Sequence, residues 1–152
     1  MPNYYTQFSA SLRLDSADEE AWCRKMLYKL EHTAEDGHTV PLAEPDDIPD
    51  LPRYESCADF DYGVMVVQGE RLLCFSSEEA GSVDSVALFV QMYLKQFHPD
   101  QCWSISWANT CSRQEDNAFG GGALFVTAEI IDSIETYTWV QSKIKDYQKE
   151  LR

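Results

Sequence analysis

The chain has 152 residues, which fits one domain with a single hydrophobic core. Hydrophobic residues make up 44% of it, a content that argues against a disordered chain. The 26 acidic residues outnumber the 12 basic ones and give a formal net charge of −14. Such a field repels nucleic-acid phosphate and attracts basic surfaces, so the composition argues against direct nucleic-acid binding.

Neither a targeting signal nor a Cys-x-x-Cys pair is visible in the amino-acid sequence. The first residues carry neither a basic nor an apolar signal region, and no apolar run approaches the roughly 20 residues of a membrane span. Five cysteines, an odd number, include no Cys-x-x-Cys pair. We therefore expect a reduced, cytoplasmic protein with no cofactor, no metal and no membrane partner.

The first elements are a strand and a helix. Apolar and polar residues alternate over residues 4–14, which predicts a strand with one face in the core. Ser16 and Glu19 then form a capping-box pattern, and acidic residues at 18–20 favour the positive end of a helix dipole. The helix is expected to continue to about residue 32.

An acidic, proline-rich segment follows. Between Glu31 and Asp61 there are ten acidic residues against one basic residue, and four prolines interrupt any regular period. We interpret residues 33–56 as a long surface loop, a feature that is uncommon in a compact domain and often functional or disordered. The acidic residues expected to bind a partner here are Glu44, Asp46, Asp47, Asp50, Glu55 and Asp59.

The middle of the chain predicts a hairpin and a second helix. Residues 60–68 and 72–76 are extended patterns joined by a turn at Gln68-Gly69-Glu70. Ser82 is a cap for a helix whose apolar residues keep helical spacing as far as Phe97, before Pro99 stops it.

The last third predicts two core strands and a helix. Trp103, Ile105 and Trp107 alternate with small residues, and residues 123–126 form a short apolar strand after a glycine run. Thr127 is interpreted as the cap of a final helical region. Its stripe, with a break near residues 136 and 138, comprises Ile130, Ile134, Tyr137, Ile144, Tyr147 and Leu151.

The resulting element order is β-α-β-β-α-β-β-α. Hairpins with helices returning across them predict an α+β two-layer sandwich with a mainly antiparallel, five-stranded sheet, in one domain covering residues 1–152. The first six elements have the order of a split β-α-β, ferredoxin-like unit.

Several short motifs resemble one uncharacterised family. They read Trp-Ala-Asn-Thr-Cys-Ser at 107–112, Phe-Gly-Gly-Gly-Ala at 119–123 and Val-Thr-Ala at 126–128, with Phe-Ser-Ala-Ser at 8–11 and Glu-Glu at 78–79. In these motifs the chain resembles small acidic hypothetical proteins of bacteria, phages and other mobile elements. The loop at 33–56 lies outside the resemblance. The resemblance to this family implies a bacterial or phage cytoplasmic context and does not imply any particular chemistry.

A second candidate site lies between the two core strands. Polar residues at 109–116 meet the glycine bend at 120–122, and the alternative pocket residues are Asn109, Thr110, Cys111, Ser112, Asp116 and Gly121. Cys111 would need a base to act as a nucleophile, and His98 is the best candidate. However, His98 enters the opposite end of the same strand, roughly 20 Å or more away at ~3.3 Å per residue. A turn whose side chains bond to their own backbone explains this loop equally well.

The sequence thus leaves two functions open, with an enzyme the less favoured. The first is an acidic interaction protein that binds a basic host protein and imitates nucleic acid. The second is a small enzyme or ligand-binding domain with its site at residues 109–116 and 120–122. Self-association is also compatible with the aromatic content and with unpaired strand edges.

Overall fold

The computed structural model describes residues 2–31 and 60–152. It is an α+β fold with one antiparallel sheet and three helices. In chain order the elements are β1 (Tyr4–Leu14), α1 (Ala17–Glu31), β2 (Asp61–Val67), β3 (Glu70–Ser77), α2 (Val83–Phe97), β4 (Cys102–Cys111), β5 (Gly120–Thr127), β6 (Ile131–Glu135) and α3 (Thr136–Glu150). The predicted loop at 33–56 and the six acidic candidate residues from Glu44 to Asp59 lie outside the described residues.

The sheet has six strands in the order β2-β3-β1-β4-β5-β6, and every neighbouring pair is antiparallel. The prediction of a five-stranded sheet is therefore wrong. The predicted element order lacks one strand, β6. Within the first six elements, β3 separates β1 from β2 and β4 lies on the other side of β1. This is the strand order of a split β-α-β unit, and β5 and β6 extend that unit at one edge.

The extra strand lies where the sequence predicted the start of the last helix. The side-chain oxygen of Thr127 accepts hydrogen bonds from the N–H groups of Glu129 and Ile130, and the N–H of Thr127 bonds back to the carbonyl of Ile130. These bonds close a hairpin turn, and Ile131 then pairs with Val126 on β5. A threonine that closes a turn and one that caps a helix look alike in sequence, so only the free edge of β5 decides between them.

The predictions for the two helix caps and the hairpin turn are confirmed. The Ser82 side chain accepts from the N–H of Ser85 at 3.2 Å, and Ser16 accepts from the N–H of Glu19 at 3.2 Å, so each serine caps its helix. Gln68 and Gly69 both have positive φ, 51° and 82°, as a two-residue hairpin turn with the right-handed strand twist requires.

One hydrophobic core lies between the sheet and the first two helices. Helix α1 contributes Cys23, Met26 and Leu27, all at most 2% exposed, and α2 contributes a stripe that runs from Val83 to Leu94. Phe75 of β3 packs edge-on against Phe89, with ring centroids 5.8 Å apart. Burial raises the pKa of the Cys23 thiol to about 12, so this cysteine is a neutral core residue.

On the opposite face of the sheet, the central strands β1 and β4 carry small polar side chains, whereas Met65, Phe125 and Ile134 are exposed apolar residues on the flanking strands. Ser9, Ser11, Ser104 and Ser106 are exposed there, as the alternation along β1 and β4 predicts. None of the three helices in the described part of the chain is long and apolar enough to cross a membrane.

Candidate functional site

The predicted pocket at residues 109–116 lies beside the first residues of β1. Tyr4 pairs with Cys111 and Thr6 with Asn109 across the two strands. Ser112 forms a backbone bond to the carbonyl of Asn3, and its side-chain oxygen accepts from the N–H of Asn3 at 2.8 Å. The polar groups in this region therefore hold the start of β1 against the end of β4.

Three further side-chain bonds join this region to β1, one of them from the Thr110 hydroxyl to Gln7 Oε1 at 3.4 Å. The hydroxyl of Tyr4 donates to Glu115 Oε2 at 2.7 Å, and the hydroxyl of Thr6 lies 3.4 Å from Asn109 Oδ1. The bond to Glu115 raises the pKa of the Tyr4 hydroxyl. Asp116 is exposed beyond this group.

The glycine run packs against its own chain. A side chain on Gly122 would meet the Trp107 indole and the carbonyl of Ile134, and one on Gly120 would meet the hydroxyl of Thr136. The N–H of Gly121 donates to that same hydroxyl at 3.1 Å. The three glycines thus allow close contact of β5 with β4, with β6 and with the first residue of α3.

Cys111 and His98 lie at opposite ends of the sheet. Cys111 faces Tyr4 at the start of β1, whereas His98 contacts Asp15, one residue beyond the end of β1. Ten residues of strand separate these ends, a span of about 33 Å. The structure does not bring the two side chains together as a nucleophile and its base.

His98 instead belongs to a polar cluster that sequence reasoning missed. Its Nε2 lies 2.7 Å from Glu19 Oε1 and 3.5 Å from Asp15 Oδ2. Glu19 Oε2 accepts from the hydroxyl of Tyr93 and from the N–H of Asp15, both at 2.7 Å. The cluster thus joins the start of α1, the end of β1 and the end of α2.

Glu19 is buried but ionised. Burial alone would raise the pKa of its carboxyl, yet the hydrogen bonds from Tyr93, from the Asp15 N–H and from His98 outweigh it and lower that pKa. Burial and the bond to Glu19 raise the pKa of Tyr93. A carboxylate with three donors is well satisfied in the core, and this accounts for the cluster as a structural feature.

The same three side chains offer ligands of the kind that divalent cations take. One ligand atom each from Asp15, Glu19 and His98 lies within 4.8 Å of the others. The capping-box spacing was the only sequence signal for Glu19, and the sequence singled out His98 as a possible base for Cys111. Neither signal shows that the two side chains meet.

A surface cleft of about 210 Å³ adjoins this cluster. Its lining residues are Arg13, Leu14, Asp15, Val66, Gly69, Glu70 and Arg71. Arg13 pairs with Asp15 at 3.4 Å and with Glu70 at 3.5 Å, and Arg71 pairs with Glu20 at 3.2 Å. The charges around the cleft therefore largely neutralise one another.

Four acidic residues and one arginine, Arg113, lie at the other end of the sheet. Glu78 and Glu79 follow β3, where the carbonyl of Glu79 accepts from the N–H of Thr6 at 2.6 Å. Glu115 lies beside Tyr4 in the loop after β4, and Asp116 follows it. We call Glu78, Glu79, Glu115 and Asp116 the acidic end. None of the four forms an ion pair with a residue that the structure describes.

Comparison with known proteins yields no relative: no family model, no curated protein and no solved structure matches the chain. The function has to be argued from the charge distribution and the geometry above.

Proposed function

We propose that this chain is an acidic interaction domain that binds the basic surface of another protein. The supporting observation is the uneven distribution of ion pairs over the described residues. Arginines neutralise Asp15, Glu20 and Glu70 at one end of the sheet, whereas the acidic end has no such partners. Exposed carboxylates without cations are the complement of a Lys- or Arg-rich surface.

The distribution of net charge along the chain also supports binding to a basic surface. Residues 136–152 carry four basic and two acidic residues, so residues 1–135 hold a charge of −16. A field of this size would speed the encounter with a basic protein and make binding sensitive to salt. The six acidic residues predicted to bind a partner, from Glu44 to Asp59, are part of this negative charge. A nucleic-acid-binding host protein is the partner class we favour, because carboxylates can imitate phosphate.

The alternative function, a small enzyme or ligand-binding domain at residues 109–116 and 120–122, has less support. Side chains that could have lined a pocket there bond to β1, and the glycines contact Trp107 and Thr136. These contacts give that region a structural role. We therefore place the interaction function first.

The proposal is tested by affinity capture from a bacterial lysate at about 0.05 M and about 0.5 M salt. Wild-type protein should retain a basic protein at low salt and release it at high salt. The variant Glu79→Gln/Asp116→Asn should retain less of it, because it removes two charges from the acidic end.

A matched control removes two charges from the opposite end, as Asp100→Asn/Glu129→Gln. Both control residues are exposed. The control should bind like the wild type if the acidic end is the contact surface. Absence of any basic, salt-sensitive partner would contradict the interaction function. Equal losses in the two variants would contradict the assignment of the surface.

A further inference from the structure

Helix α3 contributes nothing to the core. None of its residues from Thr136 to Glu150 is buried. Five large apolar side chains of α3 and its C-cap nevertheless form one stripe with alternating spacings of three and four residues, and Trp139 lies off it. The stripe consists of Tyr137, Val140, Ile144, Tyr147 and Leu151, with exposures between 42% and 69%.

This spacing is that of a coiled-coil seam. Apolar residues that repeat every 3.5 residues on average stay on one side of a helix and pack against a partner helix. A lone helix of about 12–15 residues is only marginally stable in water, and packing of an apolar face supplies most of the stability of such helices in proteins. Among the residues that the structure describes, one side-chain hydrogen bond joins α3 to the sheet, and it is at the first residue of the helix, Thr136. The residues that the structure describes in this copy therefore leave the stripe without a cover.

We infer that α3 pairs in antiparallel orientation with the α3 of a second copy of this chain. In a two-fold pair the stripe faces itself, so Ile144 of each helix lies near Tyr147 of the other. Lys143 and Glu150 flank the stripe on the same side, one heptad apart. In an antiparallel pair, Lys143 of each helix faces Glu150 of the other helix. The pair therefore has two such contacts, one on each side of the two-fold axis.

Charge also selects the antiparallel orientation. A parallel pair would set Lys143 against the neutral Gln148 and bring the two bodies together at one end of the helices. Each body, residues 1–135, has a charge of −16, so they would repel. An antiparallel pair places the bodies at opposite ends of helices about 22 Å long. The α3 segment from 136 to 152 has a charge of only +2, so two of these segments repel each other far less than two bodies do.

The available area fits a reversible dimer. Five half-exposed apolar side chains from each helix can bury an area near the roughly 1,000 Å² that a specific interface needs. We therefore expect a dimer that dissociates on dilution. This inference does not depend on the proposed binding of a basic protein.

The test is sedimentation equilibrium of the full chain from about 1 to about 100 μM. Wild type should move from monomer to dimer over this range. Ile144→Asp should weaken dimerisation more than about tenfold, because it places a charge in the seam. Ser142→Asp adds the same charge on the opposite face of α3 and should dimerise like the wild type.

Charge exchange tests the orientation. Lys143→Glu alone and Glu150→Lys alone should each weaken the dimer, and the double variant should restore it. Circular dichroism should show that Ile144→Asp keeps the fold of the body, because Ile144 is not part of the core.

Three results would overturn the inference. A wild type that stays monomeric at 100 μM would mean that another protein, or the segment 32–59 of the same chain, covers the stripe. A dimer that survives Ile144→Asp would lie on another surface. A double charge variant as weak as the single ones would exclude the antiparallel pair.

Discussion

Glu19 shows how one buried carboxylate can hold three elements together. It is 6% exposed and accepts from Tyr93, from the N–H of Asp15 and from His98, which belong to α2, the end of β1 and the residue after α2. A buried charge is tolerated only when its hydrogen bonds are made, so each donor is as important as the acceptor.

Glu19→Gln should therefore lower the free energy of unfolding by about 1.5–3 kcal/mol, the range for a hydrogen-bonded charged group. The amide keeps the size of the side chain but turns a donor toward groups that are themselves donors. Glu20→Gln is the control, because Glu20 only forms surface ion pairs with Arg24 and Arg71, worth about 0–1 kcal/mol. Urea unfolding of both variants measures the difference. Equal losses would contradict the structural role of Glu19.

Stability should also fall in acid through Glu19. Its pKa is lower in the folded protein than in the unfolded chain, so the carboxylate stabilises the fold at neutral pH. That contribution is complete above the unfolded glutamate pKa of about 4.3 and is lost as the pH falls toward the lower folded value. Wild type should lose more stability than Glu19→Gln between pH 6 and pH 3, with Asp15 and His98 present in both. Parallel pH profiles would refute this assignment.

Gly122 sets the distance between β5 and the Trp107 ring. Gly122→Ala would place a methyl group against that indole and against the carbonyl of Ile134, and overpacking of this kind costs about 1–3 kcal/mol. Gly63→Ala is the matched control, since nothing lies within 4 Å of the added carbon. Thermal unfolding should separate the two variants by several degrees. A destabilisation of the control as large as that of Gly122→Ala would contradict the close-packing explanation.

At the scale of elements, α2 and α3 have similar apolar spacing but opposite environments. Val90 of α2 is fully buried, whereas Val140 of α3 is 44% exposed. Val90→Asp should unfold or aggregate the protein, because it buries an unpaired charge. Val140→Asp should leave the body folded and soluble. Expression in the soluble fraction and circular dichroism distinguish the two. A soluble, normally melting Val90→Asp protein would show that the core assignment is wrong.

The sequence predicted those elements whose local pattern and tertiary setting agree. The alternation of β1, the capping serines at 16 and 82, and the Gln68-Gly69 turn all specify their conformations within a few residues. Strand β6 was missed because Thr127 has two competing uses and the free edge of β5 selects the hairpin. Helix α3 was predicted, but its apolar stripe gave no sign that it would stay uncovered.

The candidate sites depend on contacts between residues far apart in the chain, which periodicity does not show. Glu19 and His98 are 79 residues apart and Tyr4 and Glu115 are 111 apart, yet both pairs are in hydrogen-bond contact. Cys111 and His98 are closer in sequence, and the structure keeps them at opposite ends of the sheet. The sequence signalled Glu19 only as a helix-capping residue, and the predicted binding residues from Glu44 to Asp59 lie outside the described residues.

For the whole molecule, charge is the dominant property. An excess of 14 negative charges on 152 residues opposes self-association and favours encounter with basic surfaces. The two proposals fit together on this scale, because the helix assigned to pairing has a small net positive charge and the acidic body stays free for a partner.

The most direct test of the acidic interaction function is the association rate with the captured basic protein as salt is raised. The variant Glu44→Gln/Asp46→Asn/Asp47→Asn/Asp50→Asn removes four charges and nearly conserves shape. Wild type should associate at least about tenfold faster than this variant at low salt, and the two rates should converge at high salt. Equal rates at low salt, with no dependence on salt, would contradict the account and leave the acidity as a means of solubility alone.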